Sequence, residues 1–216
     1  MPSPTFNLPP RSRRITDGRR RALVIAAAAG VVLAAGGGTW FARRARALPV
    51  LGTVPSFTLT ERRGTPLTAD DLAGRVWVAD FVFTRCPDFC PALTARMAGL
   101  QRQLPGGPDA VRLVSFSVDP AHDTPEVLRA YADRAGAGDT WVFATGSRDA
   151  VLVLLRDGFK VAWADDGPAT SPITHSDRFV LVDRTLRIRG YYHGTDPDDV
   201  ARLARDAAAL RDGRAS

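Results

Sequence analysis

The sequence predicts an α/β domain that opens on a β-hairpin and follows one membrane-spanning helix. Three observations carry this. Residues 22–42 hold no charged side chain, Arg75–Phe83 is an almost unbroken apolar run rich in β-branched and aromatic residues, and extended runs then alternate with segments whose apolar residues recur at helical spacing. A strand buried on both faces reads as such a run, and strand–helix alternation is the mark of an α/β architecture.

The span comes first along the chain. Its 21 residues, ALVIAAAAGVVLAAGGGTWFA, match the roughly 20 that a helix needs to cross a bilayer. Gly36, Gly37 and Gly38 cost helix propensity, but in lipid an unmade backbone hydrogen bond costs more. Trp40 and Phe41 suit the interfacial belt. Arg11, Arg13, Arg14, Arg19, Arg20 and Arg21 precede the span, so the positive-inside bias puts the N-terminus in the cytoplasm and the domain in the periplasm, on a single-pass anchor in the cytoplasmic membrane. The expected organisation is a cytoplasmic Arg-rich segment 1–21, an anchor 22–42, a linker 43–50 and a domain 51–216. A cleaved secretory signal is the alternative, with Ala45-Arg46-Ala47 spaced like a cleavage site. The apolar stretch is longer than a usual signal core, however, and three arginines separate it from that cut. Either way the domain is exported.

The net charge of +6 over 216 residues divides unevenly. Residues 1–46 carry nine Arg and one Asp, whereas the remainder carries 20 Lys and Arg against 22 Asp and Glu. A domain close to neutrality offers no basic groove for a nucleic acid.

Within the domain, Val54–Thr60 alternates apolar and polar residues, and Gly64 allows a turn into a return strand near Pro66–Thr68, which predicts the hairpin. Arg75–Phe83 is the first central strand. Leu93, Met97, Leu100 and Leu104 then form a helical stripe that Pro105-Gly106-Gly107 ends. Val111–Val118 reads as the second central strand, and Asp123 or Thr124 caps a helix with Pro125 in its first turn and a stripe of Val127, Leu128, Tyr131 and Ala135. A short strand at 141–144, a helix over 148–156 and an extended stretch Phe159–Trp163 follow. Phe179–Asp183 and Leu186–Tyr191 form two strands, and a last helix, capped by Asp196, carries Val200, Leu203, Ala204, Ala207 and Leu210 on one face. With parallel pairing across the first helical crossover, this is the order of a thioredoxin-like fold. Trp77, Phe81 and Trp141 are assigned to its core.

Only two cysteines exist. They form Cys86-Pro87-Asp88-Phe89-Cys90, where a central strand ends and a helix begins, the end of an open α/β sheet at which sites collect. Residues four apart share a helical face, so both sulfurs can meet one centre or each other. Pro91 puts Cys90 near the helix cap, where the helix dipole favours the thiolate. Two thiolates with one imidazole suit Cu(I) and tolerate Cu(II), whereas structural zinc wants four protein ligands and no second cysteine pair exists. A third ligand then comes from histidine or oxygen. Among His122, His175 and His193, the loop holding His175 precedes a strand that a thioredoxin-like layout puts beside the cysteine turn; His122 and His193 read as surface or capping residues. An inert disulfide is the plain alternative for two exported cysteines, although so short a loop would constrain the unfolded chain little. Asp80 interrupts a buried strand six residues before Cys86, where it either tunes the cysteines and relays protons or is satisfied by hydrogen bonds at the strand edge. Asp119 and Asp123 are expected to shape and cap their loop.

The runs VWVADFVFTRCPDFCP, FSVDPAHDTPEVLRAYA and THSDRFVLVD resemble the SCO/SenC proteins in order and spacing, over about residues 51–211. The specific signature is CxxxCP with a later histidine, where thioredoxins have CxxC. The resemblance implies copper, as Cu(I) or Cu(II), on Cys86, Cys90 and His175, a cysteine pair that also cycles between dithiol and disulfide, and delivery of copper to, or reduction of, the dinuclear CuA site of cytochrome c oxidase subunit II. Other periplasmic copper carriers are further expected partners. In one departure from some bacterial relatives, no lipid-accepting cysteine lies near the anchor. A membrane-anchored thiol-disulfide reductase without a metal is the alternative, since disulfide exchange needs no distant imidazole. A peroxidase built on Thr84, Arg85 and one cysteine is a weaker third reading.

Overall fold

The computed structural model describes residues 47–86, 90–104, 106–164 and 173–215. The predicted N-terminal segment, the anchor and the first half of the linker lie outside them. Among the described residues no helix is long and apolar enough to cross a membrane.

The strands are β1 (Gly52–Thr53), β2 (Thr58–Glu61), β3 (Pro66–Thr68), β4 (Trp77–Val82), β5 (Arg112–Ser117), β6 (Trp141–Thr145), β7 (Trp163–Ala164), β8 (Thr174–His175), β9 (Arg178–Val182) and β10 (Arg187–His193). The helices are α1 (Cys90–Gln103), α2 (Pro125–Ala135), α3 (Arg148–Val153) and α4 (Pro197–Arg211). Eight strands form one mixed sheet in the order β1-β10-β9-β4-β5-β6-β2-β3, and β7 pairs with β8 in a separate ribbon. As the first crossover predicts, β4 and β5 are parallel, with Trp77 opposite Arg112 and Val82 opposite Ser117. β6 extends the parallel block, while β9 closes on β4 antiparallel.

The N-terminal hairpin is shorter than the alternation suggested. Residues 52–54 are held at the far edge of the sheet, where Gly52 and Thr53 face Ile188 and Arg187 and the Val54 amide donates to Leu186. Pro55 has no amide to offer. Only Thr58–Glu61 remains to pair with β3 and β6, so the start of the domain crosses from one edge of the sheet to the strand next to the other edge. The helix predicted over 148–156 runs as α3 to Val153, then widens into a π-helical segment, Leu154–Phe159, that ends on a left-handed Lys160 (φ 53°). The extended stretch predicted at Phe159–Trp163 is extended only at its end, as β7.

Successive residues of the central strands feed two separate cores. Trp77, Ala79 and Phe81 of β4 join Phe116 and Phe159 on one face, where Phe159 meets Trp77 and Phe81 edge-on at 6.0 and 5.3 Å between ring centres. Val76 and Val78 point the other way, onto Leu93 and Met97 of α1, Leu128 of α2 and Leu203 of α4. Thr124, one of the two residues foreseen as a cap, takes the N-cap of α2, accepting from the Val127 amide, and Asp196 does the same for α4 through Asp198.

Candidate functional site

The site is built where β4 runs out. Phe83–Cys86 turns away from the sheet, with the Cys86 amide donating to the Phe83 carbonyl. Beneath it the Thr84 amide and hydroxyl both donate to Asp123, at 3.2 and 2.6 Å, and Ser117 Oγ donates to the same carboxylate at 2.6 Å. Arg85 Nε meets Asp119 at 2.7 Å. The two aspartates of the VDPAHD segment, expected to shape and cap their own loop, hold the cysteine turn as well, and Asp123 does so as a buried acceptor that caps no helix. Burial raises its pKa against the hydrogen bonds it accepts. Sequence reasoning missed Thr84 and Ser117 in this role; the only available signal was a hydroxyl two residues before Cys86 and another two before Asp119.

Cys86 and Cys90 are brought together as thiols, with no disulfide between them, and the Cys90 side chain hydrogen-bonds with Cys86. Both are buried, Cys90 completely and Cys86 to 9% exposure. α1 begins at Cys90 itself and presses that residue into the core. The placement corrects one expectation, because the helix end does not ease deprotonation there. Desolvation pushes the Cys90 thiol far up, the neighbouring Cys86 and the Asp80 carboxylate add to it, and a hydrogen bond to the Phe83 backbone opposes it without prevailing. A charge taken out of water costs more than a helix dipole returns.

Asp80 lies in the middle of the sheet, fully buried, and not at an edge. Ser115 Oγ donates to its Oδ1 and itself accepts from the Trp141 indole at 2.9 Å, while Oδ2 has no hydrogen-bond partner among the described residues. Desolvation lifts its pKa to about 7.

Topology carries His175 to the same end. β9 is antiparallel to β4, Ala79 facing Val180, so the residues that enter β9 lie beside those that leave β4. In the ribbon His175 pairs with Trp163 and Thr174 with Ala164; its predicted loop thus contains a short strand. Ile173 shares one apolar cluster with both cysteines, and a cavity of about 200 Å³ is lined by Arg85, Asp119, Arg148, Trp163 and Ile173. Arg148 stacks over the Trp163 ring at 5.3 Å. The backbone at 175 therefore enters the sheet at the end where the cysteine turn leaves it, while its imidazole, like Pro87, Asp88 and Phe89, lies outside the described part of the structure. Among the described side chains no three His, Cys, Asp or Glu gather around one point. His122 is exposed in the turn before α2. His193 Nδ1 sits 3.0 Å from Asp177, half exposed, as expected of a surface residue.

The donor set suits a soft monovalent cation. Burial keeps the proton on Cys90 in the empty site, and a cation bound by the pair offsets part of the charge that burial penalises.

The model of the SCO1/SenC family matches residues 48–210. The chain is 33% identical over 168 residues to the SCO1 protein homolog of Bacillus subtilis (strain 168), covering 76% of this chain and 86% of that one. It is 30% identical over 146 residues to a putative copper-binding protein of Stutzerimonas stutzeri, covering 67% and 71%. Among solved structures it resembles BsSco, described as a member of the Sco family of cytochrome c oxidase assembly proteins in which a disulfide switch was identified, with a TM-score of 0.65, 32% identity and coverage of 76% and 99%.

Proposed function

The chain belongs to the SCO1/SenC family, and from that premise we propose that it is an exported copper chaperone of cytochrome c oxidase assembly, with Cys86, Cys90 and His175 as the copper ligands. The observation that carries the reading is the pair of adjacent, buried, unbridged thiols at the carboxyl end of β4, the end of the sheet at which the chain passes from the His175 segment into β9. The copper-binding relative and the oxidase-assembly neighbour support the cargo and the destination. The receiving centre is the CuA site of subunit II. The apolar span 22–42 anchors the domain to the cytoplasmic membrane with residues 1–21 inside and the domain, from about residue 51, in the periplasm; the charge-free run and the arginines before it support this.

Loading needs both sulfurs reduced, because a disulfide offers no pair of thiolates. Cys86 and Cys90 each release one proton as they take the cation, and the imidazole of His175 completes a three-donor set. Release then follows by ligand exchange to a partner with a tighter site. Cu(I) titration of the reduced protein against a competing chelator tests this. One equivalent is expected, falling to far weaker binding in the oxidised protein and in Cys86→Ser or Cys90→Ser, with retention reduced in His175→Ala. Equal copper uptake by oxidised and reduced protein rejects the ligand assignment.

A second reading is favoured by the contact between the two cysteine side chains and by the disulfide switch described for BsSco: the same pair passes electrons to a partner disulfide. His175→Ala separates the two, since thiol-disulfide exchange persists without the imidazole and copper retention does not.

A further inference from the structure

The domain is electrically polarised along its strands. α1 follows β4, α2 follows β5 and α4 follows β10, so all three helices start at the cysteine end of the sheet and finish at the other. Helix ends favour acids in the first turn and bases in the last. The first turns of α2 and α4 accordingly carry Glu126, Asp198 and Asp199, and the last turns of α1, α2 and α4 carry Arg102, Arg134 and Arg211. The near-neutral total of the domain conceals this separation.

The pole opposite the cysteines is also where the chain enters. There the Gly74 amide donates to Arg184 at 2.8 Å, tying the start of β4 to the end of β9. Arg184, Arg187 and Arg211 line an open depression of about 560 Å³ with Asp183, Asp212 and Gly213. Arg189, buried beneath it, is spent internally: it meets Asp183 at 2.7 Å and donates to the carbonyls of Leu48 and Pro49 at 2.6 and 3.2 Å. The Leu48 amide donates to Ala215 at 3.3 Å. Residue 48 is thereby pinned to this pole, and the sequence puts Arg43, Arg44 and Arg46 directly before it. Asp212 neutralises part of the charge of Arg211 and Arg214 at 2.6 and 2.7 Å, and Asp109 lies 3.9 Å from Arg184. Arg187 is exposed and Arg184 and Arg214 keep 42% and 61% of their side-chain surface.

We infer that this arginine pole rests on the anionic headgroups of the membrane that holds the anchor, so that the cysteine end points away from the bilayer. The inference rests on the membrane-anchored reading above. Six residue steps from Ala42 to Leu48 span at most about 20 Å, short enough to keep the pole near the headgroups. The six residues of β4 put the cysteines roughly 20 Å further out. A base near an anionic surface is worth about fivefold in binding, so several exposed arginines at the entry point suffice to bias the orientation of a tethered domain, and salt should weaken it.

The test uses the full chain inserted in nanodiscs of phosphatidylcholine alone or with added phosphatidylglycerol, followed by amide hydrogen exchange. Exchange over residues 184–187 and 211–214 is expected to slow about threefold or more in the anionic discs, with residues 117–124 at the cysteine end unchanged. High salt should abolish the difference. The double variant Arg184→Gln, Arg187→Gln should lower the docked-to-free ratio about 30-fold while its Cu(I) stoichiometry stays that of the parent. Equal exchange in both lipids by a stably inserted chain overturns the docking and leaves the anchor standing. A chain that inserts in neither lipid overturns the anchor, and the docking with it.

Discussion

Asp80→Asn isolates the energetic cost of the one carboxylate in the middle of the sheet. Burial lifts Asp80 from an ordinary 3.8 to about 7, so between those values the folded protein holds a proton that the unfolded chain has lost. Stability is then fully present below pH 4 and falls as pH rises through 7. The interval of about three pH units corresponds to about 4 kcal/mol. Asparagine keeps the shape and can accept from Ser115 Oγ but cannot ionise, so the loss disappears. Local relaxation will take up part of it, and a difference of at least about 2 kcal/mol should survive. Urea unfolding of the reduced domain, residues 47–216, at pH 4 and pH 8 measures the effect. The parent should lose stability across that range and the variant should lose less; Asp123, also raised by burial, remains in both. Equal losses in the two proteins would show that Asp80 stays charged in the fold and refute the reasoning. The same substitution removes a negative charge that raises Cys90, so alkylation of that thiol should begin at lower pH.

Asp123→Ala strands the Thr84 and Ser117 hydroxyls beneath the cysteine turn and should cost about 2–4 kcal/mol in urea unfolding, whereas His122→Ala, at an exposed position, should cost less than about 0.5. Phe159→Ala removes the ring at the junction of Trp77, Phe81 and Phe116 and should cost about 3–5 kcal/mol, seen as a lower thermal midpoint with altered near-ultraviolet dichroism. Because burial keeps the Cys90 proton on, the apparent copper affinity should climb with pH from 6 to 8 with proton release on binding; a pH-independent affinity in competition titrations would contradict thiol protonation in the empty site.

The long elements were legible because their physics is local. An almost unbroken apolar run rich in β-branched and aromatic residues, such as Trp77–Val82, reads as a buried strand, and Thr124-Pro125 and Asp196-Pro197 are capping chemistry written into adjacent residues. The CxxxC spacing and its position after that strand likewise needed nothing beyond the sequence. What misled were residues whose partners are distant. The pattern of 54–60 looked like one strand, yet Leu186 claims Val54 across the sheet, and nothing near residue 54 announces it. Helix position argued for an acidic thiol at Cys90, yet the packing of α1 removes the water that a thiolate needs, and desolvation outweighs the dipole. By itself the sequence determined the elements, the charge-free span and the pair of sulfurs, since each depends on neighbours along the chain. Only the tertiary structure decided that Asp80 lies half-satisfied at the centre of the sheet, that the His175 segment enters β9 at the cysteine end of the sheet, and that three parallel helix ends gather arginines at the opposite pole, because burial, strand pairing and field direction exist only once distant residues meet.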